Sequence, residues 1–167
     1  MSGYLLDTCV VRRWYARDPN VELRMSLLAG NVPLFISAIT IGEIEFGHSS
    51  PDATDLRKQA HFRRWIRETF EIPQLPVTEA TAQEYAKFRR RLFDKFDKKG
   101  KFTENREDKL GQKVHVDEND LWLVAQACER NLSFITQDNM IRIQEVVDSD
   151  VDITVWPDTS GSTDSDT

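Results

Sequence analysis

Four apolar runs of three or four residues punctuate this chain, and they limit its fold more than any other feature. They are Tyr4-Leu5-Leu6, Leu34-Phe35-Ile36 after Pro33, Leu132-Ser133-Phe134-Ile135 and Ile153-Thr154-Val155. Short, non-alternating runs of this kind read as strands covered on both faces. What separates them has helical spacing. Ser37 is placed to cap a helix reaching about Gly47, with Ile39, Ile41, Ile44 and Phe46 as its apolar positions. Residues 55–70 put Leu56, Ala60, Trp65 and Ile66 on or near a buried side, and Pro73 and Pro76 break the chain after them. Thr81 three residues before Glu84 predicts a capping box. Ala82, Tyr85, Ala86, Leu92, Phe93 and Phe96 follow at helical spacing, with Arg89 the one polar interruption. Asp117-Glu118-Asn119-Asp120 opens another helix carrying Leu121, Val124, Ala125 and Cys128. Strands alternating with helices imply βαβ units and a mainly parallel sheet, hence an α/β fold. Neither an internal repeat nor an interdomain linker is visible. A small helical insertion is expected within residues 50–115, of which 97–115 are poorly patterned. The tail from Asp158, rich in Ser, Thr, Asp and Gly, is expected to be disordered.

Composition removes several function classes. No apolar run approaches the roughly 20 residues a membrane helix needs, so no membrane association is expected. The start of the chain lacks a basic leader, which points to a cytoplasmic protein. Cys9 and Cys128 are too few for a disulfide framework or a zinc cluster, and His48, His61 and His115 lack metal-ligand spacing. There is no Gly-rich phosphate loop, and Ser37 has no nucleophile-elbow glycines.

A net charge of −6 speaks against a generic nucleic-acid binder, but the charge is unevenly spread. Residues 148–167 carry six Asp and no Lys or Arg, whereas residues 56–113 hold 16 Lys and Arg against 9 Asp and Glu. The basic middle reads either as a pair of solvated helices or as a surface that meets a polyanion beside an acidic site. On the second reading Arg63, Arg64, Arg67, Arg89, Arg90 and Lys95 are candidate RNA contacts. Trp65 among these arginines could stack on a base, although a packed helix is the default.

Four acids occupy special places. Asp7 and Asp138 each follow the carboxyl end of an expected strand, the edge at which open α/β sheets bind ligands. Glu43 lies in the helix after the second strand, and Asp120 opens the helix before the third. If those strands are neighbours, the four could converge. Converging carboxylates raise one another's pKa, and a divalent cation removes that penalty. Oxygen donors favour Mg²⁺ or Mn²⁺ over zinc. Read singly, each acid is by default an isolated cap or a surface charge. Asp117 is read as a helix cap, and Cys9 as a packing residue rather than a reactive thiol.

The segments YLLDTCVV, ISAITIGEIEFG, PVTEATAQEYAKFR and ENDLWLVAQACERNLSFITQDN resemble the signature segments of PIN-domain ribonucleases, nearest the VapC-type toxins of toxin–antitoxin pairs. The resemblance spans residues 4 to about 156. It implies a three-layer α/β/α sandwich over residues 1–157, with the tail 158–167 outside it. It also implies an acidic Mg²⁺-dependent site that cleaves RNA, a small antitoxin partner and a homodimer. Residue by residue, Asp7, Glu43, Asp120 and Asp138 match the acids that would hold the metal, with Mn²⁺ as an alternative ion. Thr8, Asn119 and Thr136 match supporting polar positions. Two other readings stay open. One is a non-catalytic binding module on the same fold, whose mark would be a missing acid. The other is a phosphatase using Asp7 as nucleophile, which wants a second Asp where Cys9 stands.

Overall fold

The computed structural model describes residues 3–28, 30, 32–49, 56–70, 74–96 and 116–157. The elements follow in the order β1 (Tyr4–Leu6), α1 (Thr8–Tyr15), α2 (Pro19–Leu27), β2 (Leu34–Ile36), α3 (Ala38–His48), α4 (Leu56–Thr69), α5 (Glu79–Phe96), α6 (Glu118–Glu129), β3 (Ser133–Thr136), α7 (Ile141–Val147) and β4 (Ile153–Val155). A 3₁₀ turn, Asp148–Asp150, links α7 to β4. The third strand sits one residue later than its apolar run suggests, because Ser133 rather than Leu132 pairs with Tyr4. The expected loop or hairpin over 97–115 and the acidic tail lie outside the described residues.

The strands form one parallel sheet in the order β2-β1-β3-β4. In register, Leu6 lies between Ile36 and Ile135. Successive side chains of a strand point to opposite faces, and here each face carries its own core. Leu5 and Phe134 belong to a core closed by α5, α6 and α7. Leu6, Ile36 and Ile135 belong to a second, closed by helices α1 to α4. Helices on both faces of a parallel sheet make a three-layer α/β/α sandwich. The helical stretch between β2 and β3 supplies α4 to one face and α5 to the other. Trp65 is half-buried in an aromatic cluster, with its ring edge-on to Trp14 at 5.4 Å between centroids, so it packs as the default reading expects.

Helix starts are marked by side-chain caps. Asp18 accepts from the Asn20 amide at 2.9 Å, with Pro19 at the first helical position of α2. Ser37 accepts from the Ile39 amide at 3.0 Å, as its position predicts. Asp117 accepts from the Asn119 amide at 2.8 Å and is a cap. The capping box at the start of α5 is displaced by one turn from the predicted Thr81–Glu84 pair. Thr78 and Thr81 exchange backbone-to-hydroxyl bonds of 3.1 and 3.2 Å, and Glu129 of α6 accepts from both hydroxyls. Glu84 instead faces Lys87.

Chain order places β1 first, β2 on one side of it and β3 on the other. The carboxyl ends of β1 and β3 therefore flank the point where the winding of the sheet reverses, the crevice in which such sheets bind ligands.

Candidate active site

Asp7 is the residue after β1 and the N-cap of α1, and it is only 2% exposed. Its carboxylate accepts from the Thr8 amide at 2.6 Å, the Thr136 hydroxyl at 2.5 Å and the Cys9 thiol at 3.1 Å. Burial pushes its pKa up, those three donors pull it down, and the charge of Asp138 raises it again. Asp138 stands two residues past β3, with its amide on the Thr136 hydroxyl at 3.0 Å. Thr136 thus ties both acids to the end of the strand that pairs with β1. Ligand atoms of Asp7, Cys9 and Asp138 lie within 4.8 Å of one another.

Asp120 enters from the first turn of α6. Its carboxyl is pushed up to about 8, first by burial and then by the charges of Asp7, Asp117, Asp138 and Glu43. Glu43 comes from the second turn of α3. One of its carboxylate oxygens accepts from the Thr8 hydroxyl, the other from the Asn119 side-chain amide at 2.7 Å. Thr8 in turn lies 3.2 Å from the buried hydroxyl of Thr40. All four acids singled out in the sequence therefore lie near one another at this edge of the sheet, close enough for Asp7, Asp138 and Glu43 each to raise Asp120. Thr8, Asn119 and Thr136 each donate a hydrogen bond to one of those acids.

Such an arrangement is costly for the protein alone, because like charges crowd together in a partly dry crevice. The N-termini of α1 and α6 offset part of that cost. A divalent cation would offset more, and the donors suit one of hard character. Cys9 does not oppose this. Burial and then the neighbouring Asp7 charge push its thiol well above the ordinary range, so it donates to Asp7 instead of offering a thiolate. The Asp7 and Asp138 oxygens, which lie within 4.8 Å of one another, are hard donors of the kind a divalent cation takes.

The sequence profile of the PIN domain matches residues 4–146. The chain belongs to the PIN-domain family. Among curated proteins, none matches the sequence. Its fold is similar to several solved complexes. The VapBC2 complex of Rickettsia felis bound to promoter DNA is 18% identical at a TM-score of 0.60, covering 92% of this chain and 98% of that one. The FitAcB structure of Neisseria gonorrhoeae is 19% identical at a TM-score of 0.61, covering 90% and 95%. VapBC-5 of Mycobacterium tuberculosis, a member of the VapBC family of toxin–antitoxin systems, is 19% identical at a TM-score of 0.51, covering 95% and 100%. No described helix is long and apolar enough to cross a membrane.

In this PIN domain the six candidate RNA-contacting cations do not form one strip. Arg63, Arg64 and Arg67 lie on α4, and Arg89, Arg90 and Lys95 on α5, the helices of opposite cores. All but Arg67 face a described carboxylate. Arg63 grips Glu45 with bonds of 2.6 and 3.0 Å, and Arg64 lies 3.8 Å from Glu68. Arg89 bonds Glu118 and the Tyr85 hydroxyl, Arg90 lies 2.8 Å from Asp94, and Lys95 3.1 Å from Glu145. Exposed pairs are worth about 0–1 kcal/mol, so they compete only weakly with a phosphate.

A cation closer to the acids escaped sequence reasoning. Arg12 of α1 reaches across to α3 and donates to the Glu43 carbonyl at 3.2 Å. Its only local signal is a position five residues after Asp7, which without the fold points nowhere.

Proposed function

We propose that this PIN domain is a divalent-metal-dependent endoribonuclease, and that it is the toxin of a toxin–antitoxin pair. The convergence of Asp7, Glu43, Asp120 and Asp138 on the sheet's reversal point carries the reading. Asp120, pushed up to about 8 by burial and then by the neighbouring acids, is a perturbed carboxyl of the kind that clusters at functional sites.

On this reading Asp7, Asp120, Asp138 and Glu43 hold the ion. Bound there, Mg²⁺ or Mn²⁺ would acidify a water and offset charge on the scissile phosphate. The protein's part is positioning. Thr136, Cys9 and the Thr8 amide keep the Asp7 carboxylate in one orientation, while the Thr8 hydroxyl and Asn119 fix the two oxygens of Glu43. Nothing in the site calls for a covalent intermediate. Cys9 is a donor to Asp7, and at the position where an aspartyl phosphatase wants its second Asp it supplies no acid.

The toxin role is supported by the family and by neighbours solved as VapBC complexes. It brings with it a small antitoxin as partner and a homodimer in the cytoplasm. The test is cleavage of a structured RNA by the purified chain with Mg²⁺ or Mn²⁺, against the same reaction in EDTA. Metal-dependent cleavage sustains the reading. Cleavage that persists in EDTA removes the metal from it, and failure on every RNA with no Mg²⁺ binding by calorimetry leaves a binding module.

A further inference from the structure

A groove of about 530 Å³ adjoins the acidic crevice, lined by Arg12, Ile39, Gly42, Glu43, Phe46 and Asn119. Glu43 and Asn119 belong to the site already described, and the rest of the lining has no part in it. Phe46, one helical turn beyond Glu43, is 80% exposed, the most open of the large apolar side chains described. A ring held in water beside a charged crevice gains nothing for the fold.

Gly42 also lines the groove. A glycine inside a helix is destabilising relative to alanine. Here a Cβ would meet nothing within 4 Å, so neither packing nor backbone geometry demands it. It adds no side chain to the groove lining between Ile39 and Phe46. Arg12 supplies the positive charge of this lining, its Nη2 anchored on the Glu43 carbonyl at 3.2 Å. One of its five N–H donors makes that bond, and the planar fork suits a phosphate.

We infer that Arg12, Gly42 and Phe46 form a nucleotide subsite, in which the Arg12 guanidinium binds a phosphate next to the scissile one and the adjoining base stacks on Phe46. The inference rests on the nuclease reading and names how its single-stranded substrate is held. Charge complementarity selects the occupant. A strand drawn to the acidic crevice brings phosphates that the four carboxylates repel, and Arg12 is where that repulsion is answered. Base stacking on an exposed ring is sequence-tolerant and suits a strand crossing the groove.

The test is steady-state cleavage of a fluorescein-labelled, mixed-sequence single-stranded RNA in Mg²⁺ over a range of salt. Wild type is compared with Phe46→Ala, Phe46→Tyr, Arg12→Ala and Arg12→Lys, with sedimentation of each. Phe46→Ala should raise KM about tenfold or more with kcat unchanged, and Phe46→Tyr should restore it. Arg12→Ala should raise KM and flatten the log–log salt slope by about 0.7, which Arg12→Lys should retain. A wild type that cleaves while both alanine variants keep its KM and slope overturns the subsite and leaves the nuclease reading intact. Loss of a wild-type dimer on Phe46→Ala also overturns it, assigning the ring to a contact between two copies. A wild type that cleaves no RNA overturns the nuclease reading and the subsite with it.

Discussion

The Thr136 hydroxyl donates to Asp7 Oδ2 at 2.5 Å, joining residues 129 positions apart at the carboxyl edge of two paired strands. The same hydroxyl oxygen accepts the Asp138 amide. Thr136→Val keeps the shape, removes the donor from Asp7 and leaves the Asp138 amide without its acceptor. Unfolding free energy in urea should fall by about 1–3 kcal/mol, the range for an orphaned buried polar group. RNA cleavage should fall with it, and Thr136→Ser should preserve both. An unchanged urea midpoint in the valine variant would show that the bond holds nothing in place.

Stability without metal should fall as pH rises. Burial, then the charges of Asp7, Asp117, Asp138 and Glu43, push Asp120 up to about 8 from an ordinary 3.8, and burial raises Asp7 as well. Across that window the native state binds more protons than the unfolded chain, so the stabilisation is complete below 3.8 and lost by about 8. Asp150 has the opposite sign. Its hydrogen bond from Arg91, and then the one from Lys87, holds it below its ordinary value, so that contribution goes only in stronger acid. Calorimetric Tm in EDTA should therefore decline through the window, and Asp120→Asn should flatten the decline. Adding Mg²⁺ should reverse it. A Tm that climbs with pH in EDTA would contradict this electrostatic picture.

Cys9 should be unreactive. Burial and the Asp7 charge raise its thiol, and burial with a hydrogen bond to Glu84 raises Cys128 to about 11. Only the thiolate attacks, so alkylation by iodoacetamide near neutral pH should run more than about tenfold slower than for a free thiol, and unfolding should abolish the protection. Fast alkylation of the native protein with loss of activity would make Cys9 a working nucleophile.

How much of this was legible in the sequence depends on whether the signal was local. Tyr4-Leu5-Leu6 ending at Asp7 reads correctly because a buried strand and the acid beyond it are consecutive. Asp117 reads correctly as a cap for the same reason. Helix α2 does not read at all. Val21 is its one buried residue, and Leu23 and Leu27 point outward, so no apolar stripe marks it. In α1 the buried Val10 and Val11 are followed at once by Arg12 and Arg13. Thr81 satisfies the capping pattern with Glu84, yet Glu129 from a different helix locks the box one turn earlier, at Thr78. The basic middle misleads as a single surface because Glu45, Glu118 and Glu145 come from elsewhere in the chain. Arg12 was invisible because α3 reaches it only through the fold.

Asp7 is the acid on which the proposed metal chemistry depends most directly. Asp7→Asn keeps the size of the side chain and removes one negative charge from the crevice. Each 1.4 kcal/mol of lost transition-state stabilisation is about tenfold in rate, and a carboxylate in a metal site contributes several. The rate of Mg²⁺-dependent RNA cleavage by Asp7→Asn, relative to wild type, should therefore drop at least about a hundredfold while the circular dichroism of the fold persists. A folded Asp7→Asn protein that cleaves RNA at the wild-type rate would contradict the assignment of this crevice as the catalytic centre.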